Sequence, residues 1–298
     1  MKLKITYRKK EWATAYLFLL PAIVILISFY VIPFIIGFVT SLYVGRGMGE
    51  RFGWFHNYYW LVKDADFWNS LKVTLIFTGG FTVVSGTIGL GLALLINDPK
   101  LKFVNFFKAS IFVPYIIALV VIGLVWQYML NDMFGVINYF LTSIGLKRVL
   151  WLKSPSLALL SLIIIQIWYT AGFNMVLFLS GLQALPKDYY DAARVDGAGG
   201  CHQLIYITIP LLVPTIIFVV LISILNGFIN VFTLAKIVTQ GGPINATNVL
   251  ILYIYDLGFE RLNLPLANAL TYITFIILAL FSFIQYKLQE KTIFGLRK

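Results

Sequence analysis

The sequence predicts an all-α membrane protein with six transmembrane helices, and three observations carry that reading. The 298 residues are 60% hydrophobic and 12% charged, with a mean hydropathy of +0.89, far from the balance of soluble domains. Several apolar runs exceed the about 20 residues a helix needs to cross a hydrocarbon core. All twelve acidic residues fall in loops, tails or span edges, so no run carries a carboxylate at its centre.

The spans lie at roughly 15–41, 70–96, 106–130, 157–182, 209–235 and 266–286. The first begins near Trp12, is too long for a signal-peptide core and lacks a defensible cleavage site, so it is expected to be retained. Pro21 and Pro33 lie within it, and Pro114 lies near the start of the third; such prolines are expected to mark kinks at most. Between spans one and two, GRGMGERFGWFHNYYW offers Trp54, Tyr58, Tyr59 and Trp60 as an interfacial aromatic belt. Span two carries Gly79, Gly80, Gly86, Gly89 and Gly91, which predict close helix approach. No internal repeat or linker divides the chain, so residues 1–298 are expected to form one membrane domain.

The formal charge is +11, but the basic residues flank apolar spans and so read as topology signals rather than a nucleic-acid surface. Lys2, Lys4, Arg8, Lys9, Lys10, Lys100, Lys102, Lys108, Lys187, Arg194, Lys287, Lys291, Arg297 and Lys298 fall on one side, which places both termini in the cytoplasm. The single cysteine, Cys201, and two distant histidines, His56 and His202, give no basis for a disulfide or a metal site. Carriers driven by protons or sodium commonly hold carboxylates or other ionisable groups within their spans, and here no acidic residue falls mid-membrane. No phosphate-binding loop of the G-x-x-x-x-G-K-[ST] type occurs either. If ATP drives this protein, another chain binds it.

Two polar stripes interrupt the apolar helices at one depth. Span four places Gln166, Tyr169, Thr170 and Phe173 at i, i+3, i+4, i+7, and span five places Ser223, Asn226, Gly227 and Asn230 at the same spacing. An amide in hydrocarbon needs a partner. The stripes therefore either glue helices together or line a mid-membrane solute site. Amides, hydroxyls and aromatic faces without fixed charge suit a neutral polyhydroxylated solute better than an anion.

Between those spans lies a dense polar segment, PKDYYDAARVDGAGGCHQLIYITIP, from Pro186 to Pro210. Pro186 suits the first turn of a helix, Ala192 and Ala193 give it a small face, and Gly197 is placed to end or turn it. Asp188, Asp191 and Asp196 outnumber Lys187 and Arg194, unlike a helix lying on a membrane surface, so the segment reads as one that docks into a protein groove.

The run Asp191-Ala192-Ala193, then Gly197, then Ile207, Ile209 and Pro210, resembles the EAA motif of binding-protein-dependent ABC importer permeases, with Asp for Glu at 191 and Ile for Leu at 209. Thr239-Gln240-Gly241-Gly242-Pro243, Thr247, Tyr255 and Phe259 are similar to the outside loop of the first permease in maltose and glycerol-3-phosphate type systems. Leu185-Pro186, Gly135 and Asn138 are smaller matches. The resemblance implies a type I importer permease fold in a prokaryotic inner membrane, with a cytoplasmic coupling-helix loop at 186–203 and an extracytoplasmic loop at 236–264. It implies a heterodimer with a second related permease, two ATP-binding subunits and an external solute-binding protein, with ATP and magnesium held by the ATPase and no cofactor here.

By the same resemblance, Lys187 through Gln203 form the coupling helix, with Asp191, Ala192, Ala193, Asp196 and Gly197 meeting the ATPase. The two stripes correspond to the sugar-contacting helices of maltose-type relatives. The expected function is therefore non-enzymatic: a permease subunit moving a sugar or polyol inward. The alternatives are an ion-coupled secondary carrier, a scaffold that recruits a cytoplasmic protein, and glycerol-3-phosphate as the importer's solute.

Overall fold

The computed structural model describes residues 2–45, 49–98 and 101–295. Of the predicted topology signals, Lys100, Arg297 and Lys298 lie outside the described residues, as do the side chains of Lys2, Lys4, Arg8, Lys9, Lys10 and Lys291. Among the described residues, five helical segments are long and apolar enough to cross a membrane: Thr14–Ser41, Ala65–Ile96, Pro155–Gln183, Gly200–Thr239 and Leu264–Lys287. A sixth crossing would have to come from the pair Val104–Ile116 and Leu119–Met129, bent by 93°.

The chain divides into two compact units. The first comprises Met1–Lys63 and Ile254–Ile273. It contains α1 (Lys2–Leu26), α2 (Ile32–Ser41), a short hairpin of β1 (Tyr43–Val44) and β2 (Arg51–Phe52), and α3 (His56–Lys63). Pro21 sits inside α1 without breaking it. Pro33 acts upstream, where Ile27–Val31 is wound as a wider π turn. A proline lacks the N–H and crowds the carbonyl four residues back, and widening that turn relieves the clash. Within this unit Tyr272 packs edge-on against Phe34 and Phe38 and donates its hydroxyl to the Phe34 carbonyl. Asn57 donates to the carbonyls of Ser41 and Tyr43 at 2.8 and 2.6 Å, pinning the hairpin to α3. Trp54, Tyr59 and Trp60 are exposed, as an aromatic belt requires, whereas Tyr58 is half-buried and bonded to Ser41.

The second unit comprises Asp64–Tyr253 and Thr274–Lys298. Asp64 caps α4 (Ala65–Ile96) by accepting from the Asp66 N–H at 3.3 Å. Then follow α5 (Val104–Ile116), α6 (Leu119–Met129), α7 (Val136–Ser143), α8 (Pro155–Gln183), α9 (Lys187–Val195), α10 (Gly200–Gln203) and α11 (Ile209–Leu234). α12 (Leu250–Tyr255) and α13 (Leu264–Gly295) each contribute residues to both units. The third span expected at 106–130, with a kink at most at Pro114, is instead broken into two helices, because Ile117 and Ala118 are extended. The break follows Pro114, whose missing N–H has already weakened the last turn of α5.

α4, α8 and α11 form the frame of this unit, with α5 packed on α8. One apolar cluster joins Val73, Phe77 and Phe81 of α4 to Leu162 and Ile165 of α8 and to Val231 and Leu234 of α11. A second joins Ala93 and Ile96 to Met175, Phe178 and Leu182 and to Leu212 and Val219. The glycine-mediated approach expected for span two holds at Gly89, where an added Cβ would lie 2.6 Å from that of Asn174. Gly79, Gly86 and Gly91 have nothing within 4 Å and do not mediate packing in the chain. A closer approach occurs at Gly172, where a Cβ would stand 2.1 Å from the Ile111 carbonyl oxygen of α5.

In α7, Asn138 is buried and bonds the Val149 N–H and carbonyl at 3.1 and 2.9 Å, which closes the connection into α8. Beside it Lys153 donates to Asp132 at 2.9 Å, and this bond holds the Asp132 carboxyl below the ordinary carboxylate range.

Gly172→Ala is expected to destabilise the purified protein by about 1–3 kcal/mol or more, since the clash is with backbone. Gly79→Ala is expected to be neutral or stabilising by up to about 1 kcal/mol. Thermal melts of the two variants in detergent check both. A carboxyl with a depressed folded-state pKa contributes stability that is present above its unfolded pKa and lost as pH falls through the folded one. Protease protection of the 130–154 loop should therefore fall at acid pH below the usual carboxylate range, and Asp132→Asn should remove that dependence.

Candidate functional site

Between the two apolar clusters lies a layer of polar and small side chains contributed by three helices. α4 supplies Thr82, Ser85 and Gly89; α8 supplies Gln166, Thr170 and Asn174; α11 supplies Ser223 and Gly227. The spacings of four and three place each set on one helix face, and every one of these residues is buried. Ser85 Oγ lies 3.0 Å from Thr170 Oγ1 and accepts from Asn174 Nδ2 at 2.7 Å. Thr170 Oγ1 also reaches the Gln166 carbonyl at 2.8 Å. Gly227 seats α11 against Thr78, one turn along α4, where an added Cβ would approach within 2.9 Å. Gln166 is 0% exposed, and neither its Nε2 nor its Oε1 has a protein partner; the hydroxyls of Thr78 and Thr82 are likewise buried and unpartnered.

The helix pairings fix the level of Gln166. Gly80 meets Ile163, Ser85 meets Thr170 and Gly89 meets Asn174, so α4 and α8 run side by side with matching direction. Gln166 therefore falls at the level of Phe81 and Thr82.

The second candidate region is the polar segment after α8. Pro186 stands just before α9 as its extended N-cap residue, not within the first turn. α9 ends at Val195, and the expected helix through Gln203 is corrected to two helices joined by a tight turn. Gly197 adopts φ +81°, its N–H bonds the Arg194 carbonyl at 3.1 Å, and the Ala198 N–H bonds the Ala193 carbonyl at 2.8 Å. This is the Schellman closure, which favours glycine at its left-handed position. Asp191, Ala192, Asp196 and Gly197 are exposed and Ala193 is half-buried. Ala193, Asp196 and Gly197 border a shallow concavity of about 500 Å³, and Asp191 pairs with Arg194 on the surface of the helix.

A third region, Thr239 to Pro243, is held by Thr247, which is fully buried. Thr247 Oγ1 donates to the Gly242 carbonyl at 2.7 Å and lies 2.7 Å from Thr239 Oγ1. The expected extracytoplasmic loop over 236–264 is partly helical, with wider turns at Ala235–Thr239 and Asp256–Glu260 on either side of α12.

Residues 85–294 match the family model described as "Binding-protein-dependent transport system inner membrane component". The chain belongs to this family. The lactose transport permease LacF of Rhizobium radiobacter is 34% identical to this permease over 276 residues, 91% of this chain and 92% of the relative. The sn-glycerol-3-phosphate permease UgpA of Agrobacterium fabrum is 31% identical over 93% of this chain and 95% of its own. The trehalose/maltose permease MalF of Thermococcus litoralis is 30% identical over 95% of each. A chain from the crystal structure of a bacterial alginate ABC transporter with an alginate pentasaccharide-bound periplasmic protein superposes with a TM-score of 0.80, at 26% identity, covering 93% of each chain. The permease is thus a multi-pass inner-membrane transport subunit of the ABC importer type, and not a catalytic chain.

Within this permease the eight stripe residues do not share one environment. Gln166, Thr170, Ser223 and Gly227 are sealed between helices. Tyr169 and Phe173 instead turn toward α5, where Tyr115 stacks on Phe173 at 4.4 Å between ring centroids and lies 5.3 Å from Tyr169. Tyr169, Phe173, Asn226 and Asn230 remain partly exposed. Sequence reasoning missed the α4 contribution, Thr78, Thr82 and Ser85, although their near-fourfold spacing was available. It also missed Tyr189 and Val195 on α9, the latter 88% exposed, an unusual setting for an apolar side chain in a polar helix.

Gln166→Met keeps the volume while removing two buried polar atoms that lack protein partners. It is expected to leave the melting temperature unchanged or to raise it, by up to about 1–3 kcal/mol of added stability. Ser85→Ala, which takes the acceptor from Asn174 Nδ2 while Thr170 keeps its bond to the Gln166 carbonyl, should cost about 1–3 kcal/mol in the same melt.

Proposed function

We propose that this permease moves a sugar or polyol into the cytoplasm, coupled through α9 to ATP hydrolysis in separate subunits. The observation that supports this most directly is the uncharged polar layer between two apolar clusters: hydroxyl, amide and aromatic groups at mid-helix, with no Lys, Arg, Asp or Glu among them. A neutral polyhydroxylated solute exchanges its hydration for such groups without requiring a counter-charge. The names of relatives, lactose and trehalose/maltose permeases among them, agree with this class. Tyr169, Phe173, Asn226 and Asn230 are the residues placed to contact solute at the partly exposed edge of the layer. Gln166, Thr170, Ser223 and Gly227 set the positions of the helices that carry them, and reach solute only when those helices part.

The UgpA relatives favour a second reading, sn-glycerol-3-phosphate. That anion would need a cation from outside the layer. Family membership displaces the ion-coupled carrier as an alternative. In the proposed assembly α9 faces the cytoplasm and presents Tyr189, Ala192, Ala193, Val195, Asp196 and Gly197 to an ATPase subunit. The span Thr14–Ser41, whose most apolar stretch has no buried residue, faces lipid and a second permease. The Thr239–Pro243 turn faces the external binding protein.

Gly197→Val places a β-branched residue at a left-handed position. In the reconstituted complex it should abolish ATP-dependent uptake and loosen retention of the ATPase, while membrane insertion is unaffected. Gly197→Asn should retain much of both. Asn230→Leu and Phe173→Ala should change which solute-loaded binding protein stimulates ATP hydrolysis without releasing the ATPase. Normal uptake by Gly197→Val sinks the coupling role of α9.

A further inference from the structure

α9 has two faces, one of which borders the concavity at Ala193, Asp196 and Gly197. Lys187, Tyr190 and Arg194, at i, i+3 and i+7, share the other face. They line a cleft of about 680 Å³ whose far walls are the ends of α4 and α8, at Asn97 and Gln183, and Thr208 at the entry to α11. Across this cleft the Tyr190 hydroxyl stands 3.0 Å from Thr208 Oγ1.

Proton counting orients the contact. Thr208 Oγ1 donates to the Gln203 carbonyl at 3.3 Å, and a hydroxyl has one proton to give. Tyr190 is therefore the donor and Thr208 the acceptor. Thr208 is 5% exposed, so water competes poorly for the bond. Gln203 in turn donates its side-chain amide to the Ala198 carbonyl at 2.8 Å, beside the Gly197 turn. These three hydrogen bonds, together with the backbone from Tyr190 to Ala198, close a ring at the connection between α9 and α11.

The place where the ring meets α11 matters. Thr208 ends the wider turn Leu204–Thr208, two residues before Pro210, where the usual backbone ladder is relaxed. The covalent route from α9 to the same point passes through Gly197, Gly199 and Gly200, and none has a neighbour within 4 Å of where a Cβ would stand. Such a connection transmits displacement poorly.

We propose that the Tyr190–Thr208 hydrogen bond is the strut through which a displacement of α9 reaches α11, making these two positioning residues for coupling. The inference rests on the proposed role of α9 as the ATPase contact. It requires that the strut alter how much solute moves per ATP, not whether the complex assembles.

The test uses the complete reconstituted complex, with the binding protein loaded with a solute it is first shown to deliver. ATP hydrolysis and solute uptake are measured together for Tyr190→Phe, Thr208→Val, the double variant and Thr208→Ser. Each of the first two should lower solute moved per ATP by about two- to tenfold, the range one net hydrogen bond supports, with the ATPase retained. The double variant should be no worse than either single one, and Thr208→Ser should restore the ratio. An unchanged ratio, additive losses, equal loss of uptake and hydrolysis, or failure of Thr208→Ser to rescue overturns the strut. Failure of the underlying reading looks different: the unmodified complex would show no ATP-dependent uptake, or Gly197→Val would leave uptake intact.

Discussion

The second unit depends on a single close contact, the seating of Asn174 over Gly89 and its bond to Ser85. In hydrocarbon an amide must find its partner within the protein, and here the partner is one turn away on a helix that approaches because glycine lets it. That contact fixes the level of α4 against α8. Once it is set, Thr170 meets Ser85 and the two apolar clusters fall above and below. α11 then closes the triangle through Gly227 on Thr78, and α5 docks through Gly172. Each helix is thus held by one small residue facing one polar or backbone group, the pattern expected where water supplies no drive for helices to associate.

The polar segment after α8 obeys a different logic, because water satisfies its exposed groups. Its shape comes from the backbone: a left-handed glycine reverses the chain in two residues and satisfies two carbonyls at the end of α9. The result separates the two faces of a nine-residue helix. One carries small and apolar side chains with nothing over them; the other carries Lys187, Tyr190 and Arg194 toward the cleft. A helix with one face turned away from the unit and one bordering its cleft is consistent with the coupling role proposed for α9.

Much of this was legible in the sequence, and the misses have physical causes. Span number and position follow from the length of apolar runs, and Gly197 was recognisable because glycine ends helices. The bend between α5 and α6 was not legible, since Pro114 is equally compatible with a mild kink and the decisive extended residues, Ile117 and Ala118, are ordinary in composition. The stripes were correct as periodicities but not as a single surface. Neighbours such as Tyr169 and Thr170 sit about 100° apart on a helix, so one stripe serves two packing partners, here α5 and α4. Ser and Thr on α4 escaped notice because a hydroxyl is a weak interruption in an apolar run and can satisfy itself on its own helix, as Thr74 does on the Ser70 carbonyl.

The unpartnered atoms of the polar layer bear on how it opens. Gln166 offers two donors and an acceptor, and Thr78 and Thr82 one hydroxyl each, all sealed without a protein partner. Only water can satisfy them, and leaving such a group dry costs about 1–3 kcal/mol. The apolar clusters on either side gain nothing from being wetted. Hydration of the layer therefore opposes the contact between α4, α8 and α11, while burial of Phe77, Phe81, Leu162 and Val231 on one side and of Met175, Phe178 and Leu212 on the other favours it. Under the proposed function, a solute rich in hydroxyls stands in for that water, so the level at which the helices part at least cost would also be the level at which such a solute is best received.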